Sequence, residues 1–215
     1  MQLYFRLFLA TFLIQFCSYA QFYLGAFGGY NLGTRLNTGI FTEFSLQDFW
    51  PASIKVSYTY HVPYSKNGYE RPTMKHIGSD SETTEHFAST RETFQHHSIS
   101  LEYKHYMSDF YEDEGGTYFR SIVGLSFSKV NREWSGFQDQ FLVTNFDLFQ
   151  IRQTSLNLGL AFGYELPISD SFLIYGDIGA MLPFIKLYSN STEYRGFPEF
   201  TLGLQLGVKY KLFNT

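Results

Sequence analysis

Between Ser53 and Val62 the chain alternates without a break: Ile54, Val56, Tyr58, Tyr60 and Val62 fall on one parity, and Lys55, Ser57, Thr59 and His61 on the other. A two-residue period belongs to an extended strand, whose side chains point to opposite faces in turn, and helical winding would mix the two sets. Ser155 to Glu165 repeats the pattern, with Leu156, Leu158, Leu160, Phe162 and Tyr164 opposite Asn157, Gly159, Ala161, Gly163 and Glu165. Phe200 to Phe213 repeats it again, with Phe200, Leu202, Leu204, Leu206, Val208, Tyr210 and Leu212 against Thr201, Gly203, Gln205, Gly207, Lys209 and Lys211. Each segment predicts a strand with one apolar and one hydrophilic side.

The same reading along the chain predicts strands over 22–31, 38–47, 52–62, 93–106, 116–130, 149–165, 171–188 and 199–213. Connections after the odd members cover 32–37, 63–92, 131–148 and 189–198, and those after the even members 48–51, 107–115 and 166–170. Apart from the first pair, long and short connections alternate. In an up-and-down sheet the long ones then emerge at one end and the short ones at the other, a polarity shared with outer-membrane barrels.

Periodicity cannot say which face points inward, so side-chain size has to decide. Eight strands enclose a bore only just wide enough for side chains. Rows of Leu, Phe and Tyr would overfill it, whereas Gly, Ser, Thr, Asn and single charges fit. The apolar rows therefore face hydrocarbon, and the fold class is all-β, an eight-stranded antiparallel up-and-down transmembrane β-barrel. Aromatic residues make up 20% of the chain and charged residues 17%, a balance that excludes a disordered polymer. Tyr60, Tyr103, Phe119, Phe127, Tyr164, Phe172, Phe200 and Tyr210 suit the interfacial girdles of such a barrel.

Residues 1–20 carry Arg6, an apolar stretch from Leu7 to Phe16, and Cys17-Ser18-Tyr19-Ala20 before Gln21. This is the layout of a secretory signal peptide cut after Ala20, leaving 21–215 as the barrel. A lipoprotein reading would acylate Cys17, but bulky Phe16 precedes it. A single cysteine forms no internal disulfide and supplies no thiolate cluster for zinc. With 16 basic against 20 acidic residues, a polybasic nucleic-acid binder is not expected.

The signal, the alternating strands and the last segment Gln205-Leu206-Gly207-Val208-Lys209-Tyr210-Lys211-Leu212 resemble the small OmpA/OmpX-type outer-membrane β-barrels. The resemblance implies a bacterial outer-membrane location and contact with its lipids. It also implies an assembly signal at Gln205, Gly207, Tyr210 and Leu212 that barrel-assembly machinery reads during biogenesis. Asn214 and Thr215 depart from the family habit of ending on the aromatic residue.

Inward polar faces would place Glu43, Lys55, Glu102, Lys104, Arg120, Glu165, Asp177, Lys209 and Lys211 in the lumen. Charges in so narrow a space must pair or cost several kcal/mol each, on the order of the desolvation of one ion. A salt-bridged, mostly closed interior is expected, with a structural or surface-interaction role and no catalysis, cofactor or metal. The alternatives are a narrow channel or a transport barrel for small hydrophobic molecules, the latter with a dry cavity opening sideways through the wall.

His96, Ser98, Ser100 and Glu102 share a strand parity and faintly resemble the His-x-Ser element of lipid A deacylase barrels. Ile99 stands where those barrels carry Asn, and the shared face reads as luminal, so a lipid A-modifying hydrolase ranks below the other readings. His61, His76, His86, His96, His97 and His105 match no tight ligand spacing. Residues 63–92 are expected to form a long external loop of mixed charge able to meet a surface partner.

Overall fold

Antiparallel ladders close the chain on itself, because the first long strand pairs with the last. The computed structural model describes residues 21–32, 34–45, 51–70, 74–76, 82–83, 88–107, 116–135, 141–143, 150–190, 197 and 200–212. The expected signal peptide at 1–20 lies outside the described residues. The strands are β1 (Gln21–Asn31), β2 (Arg35–Ser45), β3 (Ala52–Glu70), β4 (Met74–His76), β5 (Glu82–Thr83), β6 (Ala88–Tyr106), β7 (Gly116–Ser135), β8 (Phe141–Val143), β9 (Gln150–Ser169), β10 (Phe172–Ser189) and β11 (Thr201–Lys211). Eight of them form a closed barrel in the order β1-β11-β10-β9-β7-β6-β3-β2. The short strands β5, β4 and β8 make a separate small sheet, which joins the two longest connections at one end.

Exposure decides which way the wall faces. Leu158, Leu204 and Leu206 are 40%, 55% and 62% exposed, while Lys55, Glu102 and Arg120 are 1%, 4% and 4%. The apolar rows form a belt around the outside, and the hydrophilic rows fill the bore. All eight girdle aromatics named above lie half-buried or exposed.

The wall is uneven in height. β1, β2 and β11 have 11 residues each, close to the roughly 9–11 that a tilted strand needs to cross a bilayer. β3, β6, β7, β9 and β10 have 18 to 20, so that side stands well above the rim.

This height corrects the expected loop at 63–92. Residues 64–70 and 88–92 are paired strand, with Lys66 opposite Glu92 and Asn67 opposite Arg91. β7 likewise continues to Ser135, past its expected end at 130. These segments lack an apolar side because polar cross-strand pairs suffice once the ladder leaves the belt. Ser65 Oγ lies 3.1 Å from Thr93 Oγ1 in this region. Pro63, which argued for a loop, sits in a register shift between His61 and Tyr64, where a proline removes no needed ladder bond. β2 begins earlier than the expected 38, and residues 46 and 47 lie outside the described residues. Arg35 opens it with φ 62°, closing a tight connection from β1.

Candidate luminal site

The inner faces carry side chains of two kinds, long ones toward the end where β1 starts and β11 finishes, and short ones toward the looped end. Among the long ones, Glu43 of β2, Lys104 of β6, Glu165 of β9 and Lys209 of β11 form a ring of ion pairs. Lys104 Nζ lies 3.0 Å from Glu43 and also pairs with Glu165, while Lys209 Nζ lies 3.2 Å from Glu43 and 2.7 Å from Glu165. Tyr106 Oη lies 3.1 Å from an oxygen of each carboxylate, within reach to donate its one proton to either. These four strands alternate around the barrel, so the ring braces the bore across its width.

Adjoining it, Lys55 of β3, Glu102 of β6, Arg120 of β7 and Asp177 of β10 form a chain. Lys55 Nζ is 3.4 Å from Glu102, and Arg120 reaches Glu102 at 2.6 Å and Asp177 at 2.8 Å. Ser57 donates to Glu102 at 2.6 Å, Ser100 at 3.0 Å, and Tyr118 donates to Asp177 at 2.9 Å. Each quartet has two positive and two negative members, so neither leaves an uncompensated buried charge. Lys211 is also buried on the inner face, opposite Tyr23.

Aromatic rings fill what the charges leave, and sequence reading passed over them. Phe41, Phe27, Tyr118 and Tyr175 each stand opposite a glycine on the next strand, Gly25, Gly39, Gly163 and Gly207 respectively. A Cβ at Gly163 or Gly207 would come within 2.5 Å of the facing ring, so only glycine permits that approach. Lys55 Nζ lies 4.3 Å from the Phe41 ring centre and Lys104 Nζ 4.5 Å from that of Tyr118, distances at which a cation is attracted to a ring face. The available signal was parity: Tyr118 shares it with Arg120, Tyr175 with Asp177, and Phe41 with Glu43.

Toward the looped end the inner rows shorten to Thr59, Ser98, Ser126, Ser155 and Asn157, which leaves a cavity of ≈ 100 Å³. Asn37, His61, His96, Ser128 and Gln153 form a continuous cross-strand row in its wall. Above it Phe94, Val130, Ile151 and Phe197 make an apolar plug, with Tyr64 stacked on Phe94 at 4.8 Å. Arg132, paired with Glu92, stands beyond the plug on β7.

His96 and Ser98 both lie in this bore. His96 Nδ1 meets Ser128 Oγ at 2.7 Å, and Ser100 and Glu102 belong to the ion-pair chain. His61 meets His96 edge to face at 4.5 Å, whereas His97 and His105 point outward. His76 lies in β4, and His86 lies outside the described residues. Among the described residues no three His, Cys, Asp or Glu side chains gather as a metal site. In the last strand Gln205 and Gly207 face the bore, Gln205 accepting from Arg120 at 3.4 and 3.3 Å. Tyr210 and Leu212 face outward.

No family model matches the chain, and no curated protein matches it in sequence. Solved structures do match. A major outer membrane protein from Thermus thermophilus superposes with TM-score 0.54 at 16% identity, over 90% of this chain and 99% of that one. The fold is that of the small outer-membrane β-barrels. Neisserial surface protein A gives TM-score 0.50 at 13% identity, over 90% and 97% of the two chains. At these identities the likeness speaks for the outer-membrane barrel architecture, and what fills the bore is this chain's own.

Proposed function

We propose that this protein is an integral outer-membrane barrel with a closed lumen, whose role is structural or interactive and is carried by its looped end. The observation that carries the reading is the pairing of an exposed apolar belt with an ion-paired bore. A soluble ligand-binding barrel would bury Leu158, Leu204 and Leu206 and expose Lys55 and Arg120. The reading includes export by residues 1–20, recognition of the last strand by barrel-assembly machinery, and contact with a surface partner through the segment 63–92.

Fractionation of a bacterial host tests it. The chain should sediment with outer membranes, resist carbonate extraction, and be trimmed by protease added to intact cells. Recovery in the soluble fraction would overturn it.

A narrow channel is the second reading. It is supported by the ≈ 100 Å³ cavity, which ends on Glu102, Arg120 and Asp177. Hydroxyl, amide and imidazole groups line that cavity together with the apolar Ile122, Met181, Pro183, Phe197 and Leu204.

A further inference from the structure

On the outer wall Lys129 of β7 stands directly opposite Arg152 of β9. Lys129 is the first outward residue beyond Phe127, which is 43% exposed and ends the apolar run on β7. On β9 the outward residues below Arg152 are Thr154, Leu156 and Leu158. The pair therefore sits where the belt gives way to polar wall.

Two like charges directly opposite each other on one sheet face are destabilising. The bore contains another such pair, Lys104 opposite Arg120, and there the fold supplies Glu43, Glu165, Glu102 and Asp177 as counter-charges. Lys129 and Arg152 have no carboxylate of this kind among the described residues. Arg152 donates from Nε and Nη2 to Gln150 Oε1 at 3.1 and 2.6 Å, and Gln150 Nε2 donates to Asn131 Oδ1 at 3.2 Å. Neutral amides hold the guanidinium in place, and among the described residues none neutralises its charge. Gln95, the third member of the row, is uncharged, and Glu133 further along β7 stands opposite Arg91.

We propose that Lys129 and Arg152 bind the phosphate of a lipid headgroup in the leaflet at the looped end. The occupant must be anionic to relieve the repulsion. At the border of the belt, its acyl chains would lie along Leu125, Leu156 and Leu158 while its phosphate meets the two cations. The inference rests on the membrane reading above.

The test reconstitutes the full barrel in phosphatidylcholine vesicles doped with diphosphorylated lipid A or with its dephosphorylated form. Lipid retained after detergent extraction is then counted by native mass spectrometry. The wild type should retain the phosphorylated form, and Lys129→Gln with Arg152→Gln should lower retention about thirtyfold, the combined effect of two cations near an anionic surface. Lys129→Glu, which supplies an internal partner for Arg152, should abolish retention while leaving the barrel folded. Added inorganic phosphate should not displace the lipid at equal concentration. Equal retention by wild type and variants, equal retention of the dephosphorylated lipid, or displacement by free phosphate would overturn the proposal. Failure of the wild type to float with the vesicles would instead overturn the membrane reading.

Discussion

Glu43 and Glu165 reach across the bore from β2 and β9 to the same two ammonium groups, those of Lys104 and Lys209. Neither carboxylate could be removed without leaving a lysine short of its counter-charge in a region closed to water. Breaking a buried pair by deleting one partner costs about 3–5 kcal/mol, whereas replacing a whole pair with apolar groups is often nearly neutral. Glu43→Gln should therefore lower the unfolding free energy of the micelle-folded barrel, read from a urea titration, by an amount in that range. Glu43→Leu combined with Lys209→Met should recover part of the loss. Equal stability of Glu43→Gln and wild type would show that the ring contributes nothing.

The two quartets also predict electrical behaviour. In planar bilayers the wild type should show no stable openings of porin size, because the side chains of both quartets lie across the bore. Arg120→Ala deletes the side chain that ties β7 to Glu102 and Asp177, and should raise the frequency of small openings. Large wild-type conductance steps would contradict the closed lumen.

Leu206 is 62% exposed on the short side of the wall, at mid-height of β11. Leu206→Lys should destabilise the barrel by roughly 2–4 kcal/mol in lipid, the cost of a charge near the bilayer midplane. The heat-induced gel shift of folded against unfolded protein would read this out, and a more soluble, equally stable variant would refute the belt.

Gly207 and Tyr210 separate folding from assembly. Gly207→Val drives a side chain into the Tyr175 ring and should destabilise the refolded barrel in detergent by about 1–3 kcal/mol, as overpacking does. Tyr210 faces outward, in contact with Phe172 at 4.8 Å between ring centres. Tyr210→Ala should change detergent stability less and reduce accumulation in outer membranes more. If both variants refold and accumulate alike, the last strand carries no signal at these positions.

Parity made much of this legible in advance. Rows such as Leu202 to Leu212 admit one strand face, and bore size then sends Lys55, Glu102 and Arg120 inward. The raised wall was illegible because its ladder is held by polar pairs such as Arg132 with Glu92, which carry no alternation of hydrophobicity. The inward rings of Phe41, Tyr118 and Tyr175 were missed for a related reason. An aromatic residue on the polar parity looks like noise until its cross-strand glycine is known.

The amino-acid order alone determined strand identity, the direction of each face and the set of charges that share the bore, because a period of two binds every side chain to one surface. Only the closed tertiary structure decided partnership. Which lysine meets which glutamate, which glycine receives which ring, and that Lys129 faces Arg152 all depend on register between strands far apart in sequence. Register is set by the closure of the whole barrel, which no local segment encodes.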